Sequence, residues 1–186
     1  MPANAHQHSQ YPFFIVSPSV VFPLHNTIFP EAGGNPIYGL REDGWDGYPA
    51  SFNQFLKFIA LNEIENVVIL SGDYHLSCVS SLCVNATGKK PVHILSVISS
   101  GTYEPLSAAV DRKSDIAFDV PLQQVDDDFS YSYKTIESTI VLENSVAIVS
   151  ASKANRETNS PSISVEFETT NGLVCFTTRL GDQHKL

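Results

Sequence analysis

Basic residues are scarce in this chain: eleven Lys and Arg stand against twenty Asp and Glu, a net charge of −9. A surface of that sign repels polyanions, which argues against electrostatic binding to nucleic acid or to an anionic membrane. Long apolar runs are missing too. Nothing approaches the ~20 residues a membrane span needs, and the polar opening Met1 to Gln10 lacks a secretory signal's apolar core, so the chain as given reads as soluble. His6 and His8 in that opening read as part of a polar tail rather than a metal pair. Cysteine is sparse as well. Cys78, Cys83 and Cys175 make an odd set, and the first two are five apart on a predicted strand, hence on opposite faces; reduced, structural thiols are expected. The sequon Asn85-Ala-Thr87 falls in a predicted turn and matters only in a secretory pathway, of which there is no other sign.

What is present suits one globular core. With 186 residues, 42% of them hydrophobic and 17% charged, the chain is expected to form a single domain over residues 1–186. The stretch that concentrates chemistry is Asn66-Val-Val-Ile-Leu-Ser-Gly-Asp-Tyr-His-Leu-Ser77. Val67 to Leu70 reads as an interior strand covered on both faces. Gly72 breaks it, where a missing side chain permits a sharp turn or a close backbone approach. Asp73 and His75 follow at a spacing of two, which in extended chain puts a carboxylate and an imidazole on one side, able to converge on a metal.

Upstream, Tyr11 to Val16 predicts a short strand. Residues 17–49 then hold ten of the chain's twenty-one prolines and glycines, together with Phe22, Phe29, Tyr38, Trp45 and Tyr48. So aromatic a segment is expected to pack over the site as a functional loop rather than trail as a linker. Ser51 with Gln54 offers a capping box, and Phe52, Phe55, Leu56, Ile59 and Ala60 recur at the spacing of one buried helix face. Strand, connection, helix, strand is the order of a parallel α/β unit, whose ligands bind beyond the carboxyl ends of the strands.

Downstream, Leu76 to Val84 and Val92 to Ser99 predict a hairpin turning at Asn85–Gly88. His93 falls in the return strand and is expected in core or surface rather than on a metal. Residues 111–130, with Asp126, Asp127 and Asp128, read as an irregular acidic loop lacking a calcium site's spacing. Strands are predicted over 135–142, 146–150, 162–170 and 173–180, the last pair joined at Asn171-Gly172 by a type I′ turn.

Leu-Ser-Gly-Asp-Tyr-His-Leu-Ser resembles the Gly-Asp-x-His signature of the PhoD-like alkaline phosphatases, a branch of the metallophosphoesterases. Asp43-Gly-Trp-Asp-Gly-Tyr-Pro49 and Ser99-Ser-Gly-Thr-Tyr-Glu-Pro105 resemble two further segments of that family, in the same order. The fold so implied is mixed α/β and strand-rich, with antiparallel hairpins: the C-terminal half of an α/β/β/α sandwich. The activity implied is hydrolysis of phosphate esters, with Asp73 and His75 as catalytic metal ligands and Trp45 and Tyr48 facing substrate.

An acidic protein handles an anionic ester only if cations invert the local field, and two such ions are implied, whether calcium, iron, zinc or manganese. Two residues do not fill two coordination shells. The family's earlier ligand motifs have no match here, and the arginine it carries near the position of Phe52 is absent. A second chain or a missing N-terminal half would therefore complete the site; were the chain active by itself, His25, Asp43, Asp46 and His93 would be the first further ligands to consider. The alternative is a β-rich, non-catalytic interaction module derived from a phosphatase, or a metal-stabilised structural domain.

Overall fold

A strand written Val-Val-Ile-Leu has no polar face to give to water and needs apolar layers on both sides. The computed structural model describes residues 10–22, 44–72, 76–99, 119–154 and 160–180, and supplies both layers. β2 (Val67–Ser71) lies between β1 (Phe13–Ser17) and β4 (Val92–Ile98), parallel to each. β3 (Cys78–Ala86) returns antiparallel beside β4, and β6 (Phe129–Thr135) and β5 (Asp119–Asp126) extend the sheet to the order β1-β2-β4-β3-β6-β5. A second, antiparallel sheet is built from β7 (Ser145–Ser152), β8 (Ser162–Thr169) and β9 (Gly172–Arg179).

Alternation along each strand assigns the layers. Val67 and Ile69 of β2, with Ile94, Leu82, Tyr131 and Tyr133, pack against Phe52, Leu56, Ile59 and Ala60 of α1 (Pro49–Leu61). Val68 and Leu70, with Leu95 and Val97, face Ile163, Val165 and Phe167 of β8. In β8 the inward residues alternate with Ser164, Glu166 and Glu168, so one face meets the core and the other solvent. Each fully buried Leu, Ile or Phe contributes roughly 1.5–3 kcal/mol of transfer free energy. No helix among the described residues is long and apolar enough to cross a membrane.

Several local expectations are corrected. The helix begins at Pro49, not Ser51, with Tyr48 as N-cap and no side-chain cap; proline at the first helical position has its φ preset and no N–H to satisfy. Asn85 is not in a turn. It pairs with Ser130 inside β3, and the chain reverses after Ala86, with Gly88 at φ +74°.

Within 111–130, the described part is strand rather than irregular loop. Asp127 and Asp128 form the tip of the β5–β6 hairpin, where the Asp126 carboxylate accepts the Asp128 N–H at 2.9 Å, a local bond that Asp favours at turns. Tyrosine alternation in Phe-Ser-Tyr-Ser-Tyr, with Tyr131 and Tyr133 facing α1, is what makes β6 a strand. Over 135–142, Glu137–Thr139 is a 3₁₀ turn, followed by a single bridge between Val141 and Ser77. The β8–β9 hairpin forms as expected, but Thr169 pairs with Gly172, so Thr170 and Asn171 are its central residues. Neither has the positive φ that type I′ requires, and the Thr169 hydroxyl accepting the Asn171 N–H holds the turn instead.

Candidate active site at the carboxyl ends of β1, β2 and β4

Three parallel strands end together. Ser17, Ser71 and Ile98 are in register across β1, β2 and β4, and the Ser99 N–H donates to the Ser71 carbonyl at 3.0 Å. Gly72 follows directly, packed so closely that a Cβ there would lie 3.3 Å from the Ser99 carbonyl oxygen. Its φ is not positive, so this glycine serves the close approach rather than a left-handed turn. Four residues on, Leu76 is fully buried with Val20, Cys78 and Ile98, and Ser77 exchanges two backbone bonds with Val141. The Gly72–Leu76 connection is therefore anchored at both ends. Asp73 and His75 themselves lie outside the described residues, as do His25, Asp43 and the side chain of Asp46.

The tryptophan segment meets the same edge. The Trp45 backbone N–H donates to the Val20 carbonyl at 3.1 Å, its indole N–H donates to Ser17 Oγ at 3.1 Å, and its ring tilts onto Phe55 at 5.1 Å. Ser17 in turn donates to the Ser19 carbonyl at 2.6 Å. The indole N–H is thus committed to the scaffold, and only the ring remains to line a site. Tyr48, at the helix N-cap, is 59% exposed. Phe22 anchors the preceding segment in the core, 5.1 Å from Phe52 and 5.3 Å from Tyr133 between ring centroids.

Two residue types fall elsewhere. His93 is at the amino end of β4, five residues before Ile98 and roughly 16 Å back along the strand, so the register removes it from the ligands to consider. There it lines a cavity of about 390 Å³ with Cys83, Asp119 and Lys134, on the side of the sheet away from α1. The cysteines are free thiols: Cys175 is exposed, Cys83 half-buried and Cys78 buried. Burial pushes the Cys78 thiol up to about 12, against a weaker lowering by its bond with Ser80, and burial also raises Cys83. Such thiols are protonated and unreactive at neutral pH.

Sequence reasoning missed two serines. Ser17 and Ser71 occupy adjacent register positions on the helix-facing side at the strand ends. Ser71 Oγ is buried and has no hydrogen-bond partner among the described residues. Serine at the end of an apolar strand is unremarkable until the neighbouring strand is known. Among the described residues no three His, Cys, Asp or Glu side chains gather to hold a metal. This edge combines a connection held at both ends, a glycine packed against the Ser99 carbonyl and, next to it in sequence, the unpaired Ser71 hydroxyl.

A family model described as PhoD-like phosphatase matches residues 4–127, which includes the whole of this edge. Alkaline phosphatase D of Bacillus subtilis (strain 168) is 45% identical over 51 residues, 27% of this chain and 8% of that protein. The matched stretch is thus a small part of the relative's length. No solved structure matches. With the family match running over about two thirds of its length, the chain belongs to the PhoD-like phosphatase family.

Proposed function

We propose that this chain is the C-terminal portion of a metal-dependent phosphoric ester hydrolase, with Asp73 and His75 as metal ligands and the Trp45 ring and Tyr48 on the substrate side. The observation that carries the reading is the position of Gly72-Asp73-Tyr74-His75: inside the family match, and immediately beyond an interior parallel strand, where open α/β sheets place their ligands. Residues 1–186 form one domain on this reading. The layers of α1, six-stranded sheet and three-stranded sheet are taken as three of the four in an α/β/β/α sandwich, which the order of the two cores supports.

Divalent cations, when bound, polarise the phosphoryl group and lower the pKa of water. This chain's own part is to hold the ligand loop. Gly72 seats its start against Ser99, Leu76 pins its end, and Trp45 ties the loop before α1 to the end of β1. Two ligands are too few for two ions, so a companion chain or an N-terminal portion supplies the rest.

Calorimetric titration of residues 1–186 with manganese, zinc or calcium tests this. Weak binding is expected, and Asp73→Asn should weaken it by on the order of 100-fold, since a neutral amide compensates the ion's charge poorly. With the companion portion added, hydrolysis of p-nitrophenyl phosphate or its bis-ester should appear and be lost in the same variant. Binding and turnover indifferent to Asp73→Asn would sink the assignment.

A further inference from the structure

We infer that Ser71 is a positioning residue whose hydroxyl is kept for an anionic oxygen brought to the end of β2 with a bound divalent cation; the inference rests on the metal-dependent reading above. Three serines line the helix-facing side of the parallel strands near their carboxyl ends. Ser17 accepts from Trp45 and donates to the Ser19 carbonyl, and Ser96, one step back on β4, donates to the Phe22 carbonyl at 3.2 Å. Elsewhere in the core, Ser77 pairs with Ser145 at 2.8 Å and Ser80 with Thr135 at 3.0 Å. Ser71 alone among the described residues has a buried side-chain oxygen with no partner.

That exception has a cost. A buried hydroxyl loses its bonds to water on folding, and without a replacement the loss stays uncompensated. Alanine at 71 would carry no such penalty. Such groups are few in native structures, and each calls for an account: strain, a catalytic role, or a bound water or ion. The place is informative too. Ser71 is nine-tenths buried, its own carbonyl is already taken by the Ser99 N–H, and it directly precedes the glycine at which an added Cβ would lie 3.3 Å from the Ser99 carbonyl oxygen. A divalent cation gathers oxygen acceptors around itself, either carboxylate ligands or phosphoryl oxygens. What Ser71 has to contribute there is a proton, donated to one of those oxygens and fixing its orientation. Such outer bonds commonly govern metal affinity.

The test compares wild type with Ser71→Ala by thermal melting and by cation calorimetry on the full chain. In chelator the variant should melt at the wild-type temperature or above it, because nothing paired has been removed. With manganese or zinc its upward shift in melting temperature should be smaller, and its affinity about ten-fold weaker. A Ser71 dependence seen with the cation alone assigns the oxygen to a metal ligand; one that appears only when inorganic phosphate is added assigns it to the phosphoryl group. Ser71→Cys, of similar shape but a weak donor, should behave like the alanine variant. A melting temperature lowered by several degrees in chelator would show the hydroxyl already paired and overturn the inference. Equal cation shifts in wild type and variant would overturn it too while leaving the metal reading intact. Absence of any shift in wild type would remove both.

Discussion

The indole N–H of Trp45 donates to Ser17 Oγ at 3.1 Å, joining the segment before α1 to the last residue of β1 across 28 positions of sequence. Each partner is itself fixed, Trp45 by its backbone bond to Val20 and its contact with Phe55, Ser17 by its bond to the Ser19 carbonyl. Trp45→Phe keeps most of the ring contact and deletes only the donor. It should cost about 1 kcal/mol in urea denaturation followed by circular dichroism, because Ser17 loses an accepted bond in a part-buried place. No change at all would mean that water replaces the indole without loss.

Two glycines should respond to alanine for different reasons. At Gly72 the added methyl meets the Ser99 backbone carbonyl at 3.3 Å, which must give by a few tenths of an ångström. A loss of about 1–2 kcal/mol is expected there, together with weaker cation binding, since the proposed ligand loop starts at this residue. At Gly88 the space is open but φ is +74°, so Gly88→Ala should cost about 1 kcal/mol through backbone strain and leave cation binding unchanged. Equal effects of the two on cation affinity would contradict the proposed place of the site.

Thiol chemistry should rank with burial. Ellman's reagent at pH 8 should label Cys175 rapidly, Cys83 slowly and Cys78 only on unfolding. The Cys78 thiol is raised from its ordinary value of 9.0 to about 12 by burial. A folded-state pKa above the unfolded one means a contribution that is complete below about pH 9 and is lost as pH rises toward 12. Melting temperature should therefore fall across that alkaline window, and fall less in Cys78→Ala measured against its own neutral value. A parallel fall in both proteins would assign the alkaline loss to other groups.

β1 is an edge strand with apolar residues showing on both faces: Phe13, Phe14 and, 77% exposed, Val16. Such edges template association. Val16→Lys should reduce concentration-dependent light scattering with a change in stability within about 0.5 kcal/mol, since an exposed side chain gives up few contacts. Unchanged scattering would place the sticky surface elsewhere, with the exposed Leu122 on the opposite edge strand the next to alter.

Much of the local structure was legible because it depends on near neighbours in sequence. The run Val67 to Leu70 has no polar alternative, so it became an interior strand. Helix periodicity from Phe52 to Ala60 named the face that packs on the sheet, with Phe55 partly and the others fully buried. Alternation in β8 and the turn residues at its end predicted the last hairpin, though not which two residues make the turn. The PhoD-like resemblance rested on three short segments and held over residues 4–127.

Other features had no local signature. The acid-rich residues 126–128 looked like solvated loop because charge density says nothing about the strands on either side. Only the pairing of β6 with β3, some fifty residues away in sequence, buries Tyr131 and Tyr133 and makes that hairpin worth forming. His93 is flanked by the core residues Val92 and Ile94 near the start of its strand, and nothing but the parallel register could tell that this end lies away from Gly72. The sequence by itself determined where strands and helix form, and that Gly72-Asp73-x-His75 follows an interior strand, because periodicity and turn chemistry act over a few residues. Only the tertiary structure decided that Ser17, Ser71 and Ser99 meet at one edge, with Trp45 bonded to the first and the second left unpaired. Those contacts arise from strand order and register, which long-range packing selects.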